Sequence, residues 1–166
     1  RRQRQMCIRD SALTEDHVFI TRTFSKLFSM AGCRLGYVVG WSDGVKMVQK
    51  MCTPHNTNAF AMMFAEKVLT TPGMLDSLIT NFNGGRKYLV NSLDKNGYRH
   101  KGEAGNFIFI EPKTDAQTIV DRMKAEKKIL IKAYPNVGEF GNCLRVSIGE
   151  EKYMKQFVEA LLEIDR

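Results

Sequence analysis

No run of apolar residues in this chain approaches the roughly 18 consecutive positions that a helix needs to cross a bilayer, so a helical membrane span is excluded. The first residues also lack the basic, apolar, small-residue order of a secretory signal, and the expected compartment is the cytosol. Paired cysteines are missing too. Cys7, Cys33, Cys52 and Cys143 lie far apart without a C-x-x-C pair, and His17, His55 and His100 join no H-x-x-x-H or glutamate-containing zinc pattern. Free thiols and structural histidines are therefore expected, with no metal site. Internal repeats and low-complexity stretches are absent as well.

What remains is ordinary globular composition. The 166 residues are 43% apolar and 26% charged, enough for one domain or two small ones. A formal charge of +7 raises nucleic acid as a partner, because clustered Lys and Arg displace counterions from phosphates. The distribution argues against it. Residues 1–10 hold Arg1, Arg2, Arg4 and Arg9 against Asp10 alone, and the rest is only mildly basic. That opening decapeptide has neither periodicity nor turn signals and reads as a non-native or disordered leader, outside the fold.

From His17 to Thr23, H-V-F-I-T-R-T reads as a buried strand, and Arg34 to Gly40 as a second one. Ser42 is the expected N-cap of a helix through Met51. Phe60, Met63, Phe64 and Val68 recur at helical spacing and predict a core-facing helix, stopped by Thr70-Thr71-Pro72-Gly73. A longer helix runs from Met74 to Lys95, with Asn96-Gly97 as a glycine cap. The F-I-F-I segment within 106–111 predicts a strand apolar on both faces, hence central. Residues 115–128 predict an amphipathic helix, 129–134 a strand, and 135–141 a turn-rich loop. Leu144, Val146 and Ile148 alternate with Arg145 and Ser147, which turns Arg145 to the face opposite the buried three. The closing helix places Tyr153, Phe157, Leu161 and Ile164 on one side. An α/β first part thus joins an α+β second part.

Between the first two strands lies T-R-T-F-S-K-L-F-S-M-A-G-C-R-L-G-Y, Thr21 to Tyr37. A lysine just after a strand, preceded by hydroxyl residues and followed eight positions later by an arginine near two glycines, suits a phosphate-bearing aldehyde. The amine bonds the aldehyde while the hydroxyls and guanidinium hold the phosphate. Arginine suits that task better than lysine because its planar fork binds phosphate bidentately. Glycines are expected here where backbone must approach the anion or take unusual conformations. A lone lysine at a strand end is usually a solvated residue, and Thr23 and Ser25 could merely cap the loop. It is the joint spacing that favours the chemical reading.

T-F-S-K-x-F-x-x-A-G-x-R-x-G-Y resembles the lysine segment of the class I/II pyridoxal-phosphate-dependent aminotransferases, most closely the histidinol-phosphate aminotransferase-like branch. The likeness extends over roughly 13–164 and includes Pro54-His55-Asn56-Thr57-Asn58, G-N-F-I-F-I and C-L-R-V-S-I-G. It implies that Lys26 carries pyridoxal 5'-phosphate and shuttles the substrate proton, that Thr23, Ser25 and Arg34 hold the cofactor phosphate, and that Arg145 binds the substrate carboxylate. Tyr37 and Tyr134 are expected to be packing residues. Lys132 stands where that branch often has arginine, a departure at the substrate phosphate contact.

The resemblance further implies a fold type I α/β arrangement, with residues 11–72 a remnant of the cofactor-binding large domain and 73–166 an α+β C-terminal small domain. The expected parent is a cytoplasmic homodimer that moves an amino group between an amino acid or amino-alcohol phosphate and a 2-oxo acid. Neither nucleic acid nor membrane is expected as a partner. The family's aspartate against the pyridine nitrogen falls upstream of Arg1 by this correspondence, so the chain is expected to be a fragment inactive alone. A regulatory module that keeps the fold and a decarboxylase of the same fold are the competing expectations.

Overall fold

The computed structural model describes residues 13, 15–54, 56–102 and 105–166 of the chain. The leader at 1–10, Cys7 and His55 lie outside the described residues. Contacts divide the chain into two compact units, Arg1–Leu75 and Asp76–Arg166.

In the first unit, β1 (Phe19–Thr23) runs antiparallel to β2 (Gly36–Gly40), in register from Phe19 opposite Gly40 to Thr23 opposite Gly36. Gly36 is obligatory for that approach, since a Cβ there would lie 2.6 Å from the Arg22 carbonyl oxygen. Helices α1 (Ser42–Lys50) and α2 (Ala59–Thr70) follow. The small core consists of Phe24, Met30, Leu35, Ala61 and Ala65.

Three expectations change here. The strand read as buried is largely exposed, because β1 has a single neighbouring strand among the described residues. The cap of α1 is Trp41 rather than Ser42, which is already helical. In α2 the residues Phe60, Met63 and Phe64 are 74%, 57% and 55% exposed, while Ala61 and Ala65 are buried. The segment A-F-A-M-M-F-A is apolar around most of its circumference, so periodicity alone cannot choose its inward face. The alanine stripe lets the helix approach the loop between the strands closely. Asn58 sets its start, accepting from Ala61 N–H at 2.7 Å and donating to the Cys33 carbonyl at 3.3 Å.

The second unit is built on α3 (Met74–Lys95), whose C-terminus closes in a Schellman turn. Gly97 takes φ 71°, Tyr98 N–H bonds the Leu93 carbonyl at 3.0 Å and Gly97 N–H the Asp94 carbonyl at 3.1 Å. The antiparallel sheet has the order β3-β4-β6-β5, from β3 (His100–Lys101), β4 (Phe107–Ile110), β5 (Lys132–Tyr134) and β6 (Cys143–Ser147). The F-I-F-I strand is central, as its two apolar faces require. Helix α4 (Ala116–Arg122) is capped by Asp115, then widens into a single π turn, Met123–Lys127, that ends on Lys128 at φ 58°. The continuous helix expected over 115–128 is thus interrupted, and the strand expected from Ile129 begins only at Lys132.

Helix α5 (Glu151–Ile164) buries Met154, Phe157, Val158, Leu161 and Ile164, while Tyr153 stays 52% exposed against expectation. One face of the sheet, with Ile108, Ile110, Leu144 and Val146, joins Leu89, Leu93, Ile119, Met123 and the α5 residues in one core. Each such side chain contributes roughly 1.5–3 kcal/mol of burial free energy. Asp165, 1% exposed, ties the end of α5 to the β4–α4 loop by accepting from Lys113 N–H, Thr114 N–H and the Thr114 hydroxyl at 2.7–2.9 Å. Among the described residues no helix is long and apolar enough to cross a membrane.

Candidate functional site

The loop between β1 and β2 starts from two anchors. Phe24 is buried and donates its N–H to the Leu35 carbonyl at 3.0 Å, while Met30 N–H returns to the Phe24 carbonyl at 3.1 Å. These fix the ends of a tight excursion that carries Ser25 to Ser29. Within it Ser29 N–H bonds the Lys26 carbonyl at 2.9 Å, and Ser29 takes φ 55°. Lys26 is exposed, and among the described residues its amine forms no ion pair or side-chain hydrogen bond.

Thr23 and Ser25 are brought together. The Thr23 hydroxyl donates to Ser25 Oγ at 2.9 Å and accepts from Ser25 N–H at 3.0 Å. Since Ser25 Oγ accepts here, its own proton remains available to an incoming acceptor. Arg34 lies at the other end of the loop, exposed, with Nη1 donating to the Ala31 carbonyl at 3.1 Å rather than to either hydroxyl. The glycine expectation shifts as well. Left-handed backbone falls on Ser29 and Arg34, not on Gly32, whose missing Cβ would meet nothing within 4 Å. Non-glycine residues in that region are uncommon and cluster where surrounding structure imposes them. Tyr37, read as a packing residue, is 52% exposed.

In the second unit Arg145 is half-buried on β6, on the face away from Leu144 and Val146. Phe109 and Lys132 are its direct neighbours across the sheet, so all three share that face, together with Phe107 and Tyr134. Arg145 Nη1 donates to the Tyr134 hydroxyl at 3.0 Å, and the guanidinium carbon lies 4.9 Å from the Phe107 ring centre and 5.2 Å from that of Tyr134. Tyr134 is therefore a polar partner, which the packing reading missed. The clue lay in strand alternation: Lys132 and Tyr134 sit two apart on β5, and their register against β6 makes Tyr134 a diagonal neighbour of Arg145. Cys143 occupies the same face but is buried, and burial, aided by Glu111, pushes its thiol up and keeps it protonated.

The described residues thus carry two cationic clusters, one around Lys26 and Arg34 and one around Arg145 and Lys132. The family model for aminotransferase class I and II matches residues 4–161. A histidinol-phosphate aminotransferase of a Geobacter species is 30% identical over 149 residues, 90% of this chain and 42% of that protein. A histidinol-phosphate aminotransferase of Carboxydothermus hydrogenoformans is 32% identical, over 89% and 42%. Among solved structures, the histidinol-phosphate aminotransferase of Sinorhizobium meliloti in complex with pyridoxal-5'-phosphate superposes with a TM-score of 0.81 at 24% identity, over 95% of this chain and 44% of that one. The L-threonine-O-3-phosphate decarboxylase of Porphyromonas gingivalis superposes at 0.69 and 19% identity, over 93% and 49%. The chain spans about two-fifths of the length of the curated relatives it matches.

Proposed function

Since the chain belongs to the class I and II aminotransferase family, we propose that it supplies the lysine, phosphate-holding and carboxylate-holding residues of a pyridoxal-phosphate-dependent transaminase. The reaction is amino transfer between an amino acid or amino-alcohol phosphate and a 2-oxo acid. On this reading residues 11–72 are the part of the cofactor-binding large domain present here, and 73–166 form the small domain. The observation that carries the proposal is the β1–β2 loop, where an exposed amine, unpaired among the described residues, follows two mutually hydrogen-bonded hydroxyls and shares its loop with a guanidinium.

That donor set fits an aldehyde bearing a phosphate. Pyridoxal phosphate, when bound, supplies a carbonyl that takes up the amino group and a conjugated ring that accepts the electron pair left at the substrate α-carbon. Lys26 Nζ would hold that carbonyl covalently and, when its amine is free, would serve as the base that takes and returns the α-proton. Ser25 Oγ offers its free proton to a phosphate oxygen, Thr23 orients it, and the Arg34 fork neutralises the phosphate charge. Arg145 holds the substrate carboxylate by two parallel N–H donors, which fixes the α-carbon rather than activating it.

A decarboxylase reading shares the lysine and phosphate-holding roles but has the α-carbon lose its carboxylate instead of its proton, and the likeness to the decarboxylase structure extends to the fold alone. Sequence likeness to transaminases favours amino transfer. The proposal is tested on the chain itself by incubation with pyridoxal phosphate, borohydride reduction and peptide mass mapping. One label per chain on Lys26, lost in Lys26→Ala, is expected. Label spread over the surface lysines without preference for Lys26 would overturn the assignment.

A further inference from the structure

The side chains around Arg145 leave an unbalanced charge. Arg145 and Lys132 stand directly opposite each other on neighbouring strands, and among the described residues neither pairs with a carboxylate. Like charges in that relation destabilise a sheet, and a half-buried guanidinium without a counter-charge carries a desolvation cost. Instead of an acid, Arg145 is given a phenol and two rings. Phe107 and Phe109 meet nearly perpendicular at 5.4 Å, and Phe109 and Tyr134 do so at 6.0 Å. The three rings brace one another and leave the guanidinium little freedom beside Phe107 and Tyr134.

The direction of the hydrogen bond matters more than its existence. Arg145 has only donors, so the Tyr134 oxygen accepts in the 3.0 Å contact. The phenolic proton is then not used by Arg145, and the hydroxyl held against the guanidinium can offer it to an acceptor bound beside Arg145.

We infer that Tyr134 is a positioning and binding residue, which locks the Arg145 fork in one orientation and donates its own hydroxyl proton to the oxyanion that Arg145 holds. This rests on the carboxylate role proposed for Arg145. It adds a third donor, and with it a preference for ligands presenting adjacent oxygens over a spherical anion such as chloride.

Acetate serves as the probe. The full chain is titrated with sodium acetate against sodium chloride at equal ionic strength, following the Arg145 Nε–H resonance and the Phe107 and Tyr134 amides by NMR. Acetate-specific shifts are expected in the unsubstituted chain, together with slow rotation about the Arg145 Nε–Cζ bond. Tyr134→Phe, which keeps the ring, should weaken acetate by about tenfold or more and free that rotation, the scale of one hydrogen bond to a charged group. Arg145→Lys should weaken it more. If the unsubstituted chain shows no acetate-specific shift, or Arg145→Lys binds as well as it does, the carboxylate role itself falls. If Arg145→Lys loses acetate while Tyr134→Phe keeps it within about twofold, the carboxylate role stands and the role of Tyr134 is overturned. A freely rotating guanidinium in the unsubstituted chain overturns it as well, with no substitution needed.

Discussion

Gly85→Ala, in the middle of α3, should destabilise the second unit, and its neighbour Gly84→Ala should do the opposite. Both glycines lie inside a helix, where alanine is intrinsically better by about 1 kcal/mol. At Gly84 nothing opposes that gain, because a Cβ there has only a Glu151 carboxylate oxygen at 4.0 Å. At Gly85 the same atom would lie 1.9 Å from the Gly149 carbonyl oxygen and 3.0 Å from its carbon. A carbon–oxygen contact needs about 3.3 Å, so α3 and the β6–α5 turn must separate by more than an ångström. That turn is not free to yield, since Ile148 beside it is hydrogen-bonded to the Asn106 carbonyl at 3.0 Å and buried. Overpacking of this kind costs about 1–3 kcal/mol beyond the propensity gain. Urea unfolding followed by far-ultraviolet circular dichroism measures both variants. A midpoint for Gly85→Ala equal to or above that of Gly84→Ala would refute the packing argument.

Arg34 occupies left-handed backbone at φ 50°, so Arg34→Gly removes the side chain without backbone strain. It should weaken pyridoxal phosphate about ten- to hundredfold in an absorbance titration, and unchanged affinity would remove Arg34 from the phosphate site. The Tyr98 phenol is pushed well above its usual value by burial and then by Asp165. A raised folded pKa means stability present below the unfolded value, about 10, and lost as pH rises above it. Urea midpoints should therefore fall above that pH, and fall less in Tyr98→Phe; an equal fall in both would exclude Tyr98 as the cause.

The second unit was the more legible in sequence, because its signals are redundant. Gly97 after Lys95, strict alternation at Leu144, Val146 and Ile148, and the F-I-F-I strand each agree with a single burial pattern. The first unit was not. In α2 the apolar residues surround the helix, so a spacing rule that selects Phe60 and Phe64 works equally for Ala61 and Ala65, and packing distance decided for the alanines. The π turn at Met123–Lys127 also left no mark, since Met123 and Ile129 fit a helical stripe and a strand start alike. At the candidate site the spacing from Thr23 to Arg34 identified the loop, but not that the strain would sit on Ser29 and Arg34 while Gly32 stays relaxed. Tyr134 escaped because its meaning depends on cross-strand register, which no single segment carries.

The short outer strands of the four-stranded sheet have a consequence for colloidal behaviour. β3 spans two residues and β5 three, and each carries an exposed lysine, Lys101 and Lys132. A second copy approaching edge to edge would gain few ladder hydrogen bonds and would set lysine near lysine. The longer strands, β4 and β6, are flanked on both sides. The second unit is thus protected against templated strand addition at moderate ionic strength. Screening of the lysine charges by added salt should weaken that protection.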